Sequence, residues 1–227
     1  MSQAAHINSV KLSRRGLLLT AGAALGSAAG MSFAGGAIAQ RRGPSEVPVE
    51  ELMKPGELPE LVLGNNDAPV TIVEYASMTC PHCANFHTRV LPELKKKYID
   101  TGKVRLVFRE FPLDNLAAAG AMLARCSGDK AFDMLEILFH KQEEWVVRND
   151  PVSKLFDMAK QAGFTKESFE KCLTDDDLLK KVEAVRTRAN EKFGVNSTPT
   201  FFINGKRLSG GGSIADFDRA LEPLLKS

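Results

Sequence analysis

Val70-Thr71-Ile72-Val73-Glu74-Tyr75-Ala76 is a β-branched and aromatic run bounded by Pro69, which predicts a buried strand. Soon after it, Phe86, Val90 and Leu94 recur at four-residue spacing, which puts one apolar stripe on a helix. Pro92 falls inside that helix. It removes a backbone donor and crowds the preceding turn, so a kink is expected there. Gly102 then opens a second strand, Lys103 to Glu110, in which Val104, Leu106 and Phe108 alternate with Arg105, Val107 and Arg109 before Phe111-Pro112 closes it. Two strands joined by a crossover helix imply parallel pairing.

From Asp114 to Phe193 the pattern is helical. Asn115 to Cys126 is Ala-rich and stops at Gly128, and Asp129 reads as a cap for Ala131 to Trp145. Pro151 to Ala162 ends at Gly163, Thr165 caps a short helix containing Cys172, and Asp175 to Phe193 stops at Gly194. Val195 to Ile203, Asn204-Gly205 and Lys206-Arg207-Leu208 read as a β-hairpin with a tight type I′ turn. Ser213 is a suitable N-cap for a final amphipathic helix, Ile214 to Leu225, with Ile214, Phe217, Leu221 and Leu224 as its buried stripe.

The first 39 residues do not look like fold. Lys11, Arg14 and Arg15 form a basic start, Gly16 to Ala39 carries no charge, and Ala37-Ile38-Ala39 is a small-residue cleavage pattern before Gln40. A signal peptide cleaved after Ala39 is expected. The alternative is an uncleaved leader anchoring the protein to the inner membrane, since the stretch is long enough to span but weakly apolar. Ser13-Arg14-Arg15-Gly16-Leu17-Leu18 also looks like a twin-arginine export signal, with a general secretory signal as the other reading. The leader's three positive charges account for more than the net charge of +2, so the remainder stands near −1. A nucleic-acid-binding role has no electrostatic support in such a balance. Residues 40–63 are rich in Pro, Gly and Glu and read as an N-terminal arm or linker, with a short helical possibility around Val49 to Met53. Its alternatives are a disordered start and an oligomerisation arm.

The candidate chemistry lies at the junction of the first strand and its helix, in Thr79-Cys80-Pro81-His82-Cys83. Unpaired backbone N–H groups and the helix dipole favour a negative charge there, so a thiolate at Cys80 should be stabilised. An exposed Cys80 is expected to act as nucleophile and a more buried Cys83 as resolving thiol. His82, between them, can favour the thiolate electrostatically and by hydrogen bonding. The competing reading is half of a zinc site completed by His82 and His87, but Cys126 and Cys172 stand alone without zinc-ligand spacing, and no metal is expected. His87 could shape the rim of the active site but reads better as solvated helix surface. Glu74 in an apolar strand is costly unless paired or functional, a solvated edge position being the alternative. In an exported chain Cys126 and Cys172 are candidates for a structural disulfide worth roughly 4 kcal/mol by loop closure. Two buried free thiols are the alternative.

Cys80-Pro81-His82-Cys83, Glu74 six residues ahead and Thr198-Pro199 before the run Thr200-Phe201-Phe202-Ile203 together resemble the DsbA-type branch of the thioredoxin-fold disulfide oxidoreductases, over roughly Leu61 to the C-terminus. The resemblance implies an α/β, thioredoxin-like fold formed by 64–112 and 195–227, with an inserted all-helical domain at 113–194. It implies that Pro199 is a cis-proline facing the disulfide, that Thr198 offers backbone hydrogen bonds to a substrate segment, and that Glu74 handles the proton of Cys83. A periplasmic thiol–disulfide oxidoreductase without cofactor follows, acting on unfolded or reduced exported proteins and reoxidised by a membrane quinone-linked partner of the DsbB kind. The best-known oxidases carry Val where this chain has Thr198, a residue common among isomerases and reductases. An oligomeric isomerase or reductase is therefore the second expectation, and a non-catalytic metal-binding or chaperone module the third.

Overall fold

A computed structural model describes residues 43–226; the leader and Arg41-Arg42 lie outside the described residues. Five strands form one mixed sheet in the order β1-β3-β2-β4-β5. They are β1 (Leu61–Leu63), β2 (Val70–Ala76), β3 (Val104–Glu110), β4 (Thr200–Ile203) and β5 (Lys206–Arg207). β2 and β3 pair in parallel in the register Ile72 with Leu106 and Glu74 with Phe108, as the crossover predicted. The other pairings are antiparallel. Asn204 (φ 44°) and Gly205 (φ 84°) turn β4 into β5 with positive φ at both positions, as a type I′ turn requires. A Cβ on Gly205 would lie 2.4 Å from the Val47 carbonyl oxygen, so glycine is needed there twice over.

The crossover stays helical from Pro81 to Ile99. It comprises α2 (Pro81–Asn85), a π-helical turn (Phe86–Val90), α3 (Leu91–Leu94) and a second π-helical turn (Lys95–Ile99). The first wide turn directly precedes Pro92, with the Leu91 N–H bonded to the Phe86 carbonyl. The expected effect of Pro92 is thus taken up by a widened turn, which relaxes the crowding between the proline ring and the carbonyl four residues back. Phe86, Val90 and Leu94 are buried as their spacing predicted.

Alternate residues of the central strands face two different cores. Val70, Ile72, Val104 and Leu106 pack with the crossover helix and with Phe217 and Leu221 of α10 (Ile214–Leu225). Val73, Tyr75 and Val107 pack on the opposite face against Val47, Leu52, Ala189 and Phe193. Of the expected α10 stripe, Leu224 is 40% exposed, and Leu225 packs against the core instead.

The helical region comprises α4 (Asn115–Cys126), α5 (Ala131–His140), α6 (Gln142–Trp145), α7 (Pro151–Gln161), α8 (Lys166–Leu173) and α9 (Asp176–Phe193). Thr165 accepts the capping bond expected of it, from the Ser168 amide, and Asp175 caps α9 by accepting from the Leu178 amide. Asp129 does not cap α5. It sits in a 3-10 turn (Gly128–Lys130), and Lys130 occupies the N-cap.

The helical region is inserted between β3 and β4, and its apolar residues share one cluster with Ala76, Phe108, Cys80 and Cys83, while the last turns of α9 cross to the far face of the sheet. Two boundaries differ from expectation. The strand expected over Val195 to Ile203 begins at Thr200. Residues 43–63 are a packed part of the fold rather than a free arm. Val47 and Leu52 are buried, the Val47 N–H donates to the Gly205 carbonyl at 2.9 Å, α1 forms over Val49–Met53, and β1 is a sheet edge. The chemistry behind this is arginine: Arg207 donates to the Pro44 carbonyl, Arg188 to those of Glu51 and Lys54, and Arg109 to that of Leu52. Each charge-assisted bond satisfies a backbone acceptor that would otherwise be left without a partner when covered.

Candidate active site

β2 ends at Ala76, and the next residues deliver Cys80 to the N-cap of α2 with Pro81 at the first helical position, where a missing N–H costs nothing. Both cysteines are free thiols. Cys80 is 6% exposed and Cys83 0%, so the expected order of exposure holds, although Cys80 itself is mostly covered. The Cys80 Sγ donates to the Thr198 carbonyl at 3.3 Å. The Thr198-Pro199 peptide is cis, which brings that carbonyl to the sulfur from the loop before β4.

The two thiols are pulled in opposite directions. Cys80 is lowered to about 5, first by hydrogen bonding from the Cys83 side chain, opposed by burial and aided by the backbone amides of Cys83 and His82. Cys83 is raised well above the usual thiol range by burial first, then by its bond to Cys80 and by the charge of Glu74. A proton shared between two sulfurs at a helix start leaves the negative charge on the outer one. His82 is exposed, and its backbone amide rather than its imidazole contributes to the Cys80 thiolate.

Glu74 is fully buried on β2, which removes the solvated-edge alternative. His87 is the clearest departure from expectation. It is 6% exposed, and its Nε2 lies 3.0 and 3.2 Å from the two carboxylate oxygens of Glu74. The reason is tertiary: α5 lays Phe139 over the imidazole, with ring centroids 4.1 Å apart and planes 20° from parallel. Among the described residues, no three His, Cys, Asp or Glu side chains are grouped to hold a metal ion.

Gln142 at the start of α6 also belongs to the site and was not singled out by sequence. Its Nε2 donates to the carbonyls of Met78 at 2.8 Å and Cys80 at 3.1 Å, so the helical region clamps the loop that carries Cys80. A glutamine in a charged Lys141-Gln142-Glu143-Glu144 run carries no local signal for this. On the other side, Asp114 accepts from the Thr79 hydroxyl at 2.7 Å while capping α4 through the Ala117 N–H. Next to Pro81, a groove of about 590 Å³ opens between the crossover helix and α5–α6, lined by Ala84, Thr88, Arg89, His140 and Lys141 among others. Within the helical region, Cys126 of α4 and Cys172 of α8 are joined by a disulfide with a Cα–Cα distance of 6.2 Å. That resolves the second cysteine pair in favour of the bridge.

Residues 57–223 match the family model described as Thioredoxin. A Rickettsia bellii protein described as a protein-disulfide oxidoreductase is 39% identical over 168 residues, covering 72% of this chain and 65% of that protein. Disulfide bond formation protein D of Bacillus subtilis is 31% identical over 175 residues, covering 73% of this chain and 75% of that protein. The chain thus spans about two thirds of the length of the rickettsial relative. Among solved structures, alpha-DsbA1 of Wolbachia pipientis superposes with a TM-score of 0.72 at 31% identity, over 79% of this chain and 96% of that one. Oxidised BdbD of Bacillus subtilis superposes with a TM-score of 0.64 at 27% identity, over 74% and 94%. With its sheet order, its cysteines at the head of the crossover helix and its cis-proline opposite them, the chain belongs to the thioredoxin-like family, among the DsbA-type disulfide oxidoreductases.

Proposed function

We propose that this chain is a periplasmic thiol–disulfide oxidoreductase that introduces disulfides into exported proteins through Cys80 and Cys83. The observation that carries the reading is the opposed shift of the two thiols, with Cys80 at about 5 and Cys83 well above the thiol range. A stabilised thiolate belongs only to the reduced state, so it favours reduction of the enzyme's disulfide and makes that disulfide an oxidant.

A substrate thiolate attacks the Cys80 sulfur of the disulfide, the Cys80–Cys83 bond breaks, and Cys83 leaves as a thiolate that takes up a proton. A second substrate thiolate then attacks the substrate sulfur of the mixed disulfide and releases the Cys80 thiolate. The client loses two electrons and the enzyme gains them. Glu74, buried beside Cys83, exchanges the proton of that thiol in each direction. The Thr198 backbone next to cis-Pro199 receives the substrate segment. Reoxidation falls to a membrane quinone-linked partner of the DsbB kind, and residues 1–39 act as a leader cleaved after Ala39.

Equilibration with glutathione tests the direction. A reduction potential near about −120 mV supports the oxidase, whereas one near about −270 mV makes the protein a reductant and overturns it. Thr198, in place of the valine of the best-known oxidases, favours a second reading as an oligomeric isomerase or reductase. A native mass of two or more chains, with an intermediate potential, would favour that reading.

A further inference from the structure

His87 is a buried titratable group that thiol–disulfide exchange at Cys80 and Cys83 leaves without a role. It lies one turn beyond Cys83 on the crossover helix, and its surroundings are fully specified. β2 contributes Glu74, whose two carboxylate oxygens share the imidazole Nε2 at 3.0 and 3.2 Å. β3 contributes Phe108, α5 the stacked Phe139, and the crossover helix Phe86, while the Glu74 charge acts on the Cys83 thiol. The Glu74 side chain has no exposure to water and that of His87 has 4%. Among the described residues no lysine or arginine pairs with Glu74; its hydrogen-bonding partner is His87. A buried carboxylate without a donor is costly, and a carboxyl stripped of its partner in apolar surroundings takes up a proton.

We infer that His87 is the positioning residue for proton transfer at Cys83: through an Nε2–H donor shared by both Glu74 oxygens, wedged between Phe139 and Phe108, it holds the carboxylate ready to accept the Cys83 proton. The inference rests on Glu74 being that acceptor. The step is defined when glutathione disulfide oxidises the reduced protein. The Cys80 thiolate attacks one glutathione sulfur, and the first glutathione leaves as a thiolate. Cys83 then passes its proton to the Glu74 carboxylate while its sulfur attacks the Cys80 sulfur. The Cys80–Cys83 bond forms, the Cys80–glutathione bond breaks, and the second glutathione leaves as a thiolate. Two electrons pass from the cysteine pair to glutathione disulfide.

The test follows the release of the second glutathione by rapid mixing of the reduced protein with glutathione disulfide across a pH series. The parent protein is compared with His87→Phe, His87→Gln and Glu74→Gln, and thermal unfolding confirms that each variant is folded. His87→Phe removes the donor and keeps a ring against Phe139, whereas His87→Gln keeps an N–H donor without an imidazole. The expected result is release slowed about tenfold or more at pH 7 in His87→Phe, with the deficit closing as pH rises and bulk base replaces Glu74. His87→Gln should stay within about threefold of the parent, on the same principle. Parent-like release in His87→Phe, beside a slow Glu74→Gln, overturns the role of His87 and leaves that of Glu74 standing. Equal slowing of both His87 variants at every pH also overturns it, because packing alone behaves that way. Parent-like release in Glu74→Gln removes Glu74 as acceptor and the inference with it. If His87→Phe does not fold, His87→Gln decides: a tenfold loss that persists at high pH overturns the donor role.

Discussion

Two cysteine pairs share this molecule and behave oppositely. Cys126 and Cys172 are 46 residues apart in sequence, sit on two helices packed side by side, and are bonded. Cys80 and Cys83 are separated by two residues, begin a helix, and are free. The difference is topological and electrostatic. A bridge across 46 residues removes much freedom from the unfolded chain, whereas a four-residue ring removes almost none. What the short pair offers instead is an uneven division of charge, with a stabilised thiolate on the outer sulfur and a protonated inner one. The first pair ties α4 to α8; the second is the pair proposed to carry the exchange.

Several substitutions and titrations bear on this contrast. Cys80→Ser should abolish disulfide exchange while leaving the protein folded, though less stable at neutral pH than the reduced parent because the thiolate's linked stabilisation is gone; insulin reduction that survives in this variant would remove Cys80 as nucleophile. The next effect is in pH. The alkylation rate of Cys80 should rise through about pH 5 and then level off. Because the folded value lies below that of a thiol in the unfolded chain, the linked stabilisation of the reduced protein is fully present above the unfolded value. It is lost as pH falls through about 5. The stability of the reduced form relative to the oxidised form should therefore decline across that window by up to about 1.4 kcal/mol per pH unit. A difference that is flat with pH would break the proposed link between the thiolate and oxidising power.

The double variant Cys126→Ala/Cys172→Ala should lose about 4 kcal/mol of unfolding free energy in denaturant titrations. Its Cys80 alkylation profile should remain centred near 5. A displaced profile would mean that the two pairs are coupled through the helical region. The smallest effect belongs to Gln142→Leu, which removes the donor to the Met78 and Cys80 carbonyls and should cost about 1–3 kcal/mol. Faster alkylation of Cys83 in that variant, with the fold retained, would show that the clamp also limits access to the site.

Much of this was legible in the linear chain. Val70 to Ala76, the Phe86-Val90-Leu94 stripe, the Thr165 cap and the Asn204-Gly205 turn are local patterns, and local patterns act through backbone geometry within a few residues. The lowered thiol of Cys80 follows from equally local features, since the groups that lower it lie largely in its own helix start and in its neighbour three residues on. Glu74 was conspicuous as a charge within an apolar run. His87 misled because the residues that bury it, Phe139 and Phe108, arrive from other elements. Residues 43–63 misled because a composition rich in Pro, Gly and Glu resembles a linker, and the arginines that bind their carbonyls lie from 109 to 207 in the chain.

The amino-acid sequence by itself thus determined the order of elements, the position of the reactive pair at the head of a helix and the parallel crossover that presents it. These depend on periodicity, capping and short spacings, whose energies are local. Only the tertiary structure decided that His87 is the partner of Glu74, that Gln142 clamps the active-site loop and that Cys126 meets Cys172. Each of these contacts joins residues from different elements, and burial, which makes such contacts strong, exists only once those elements have packed.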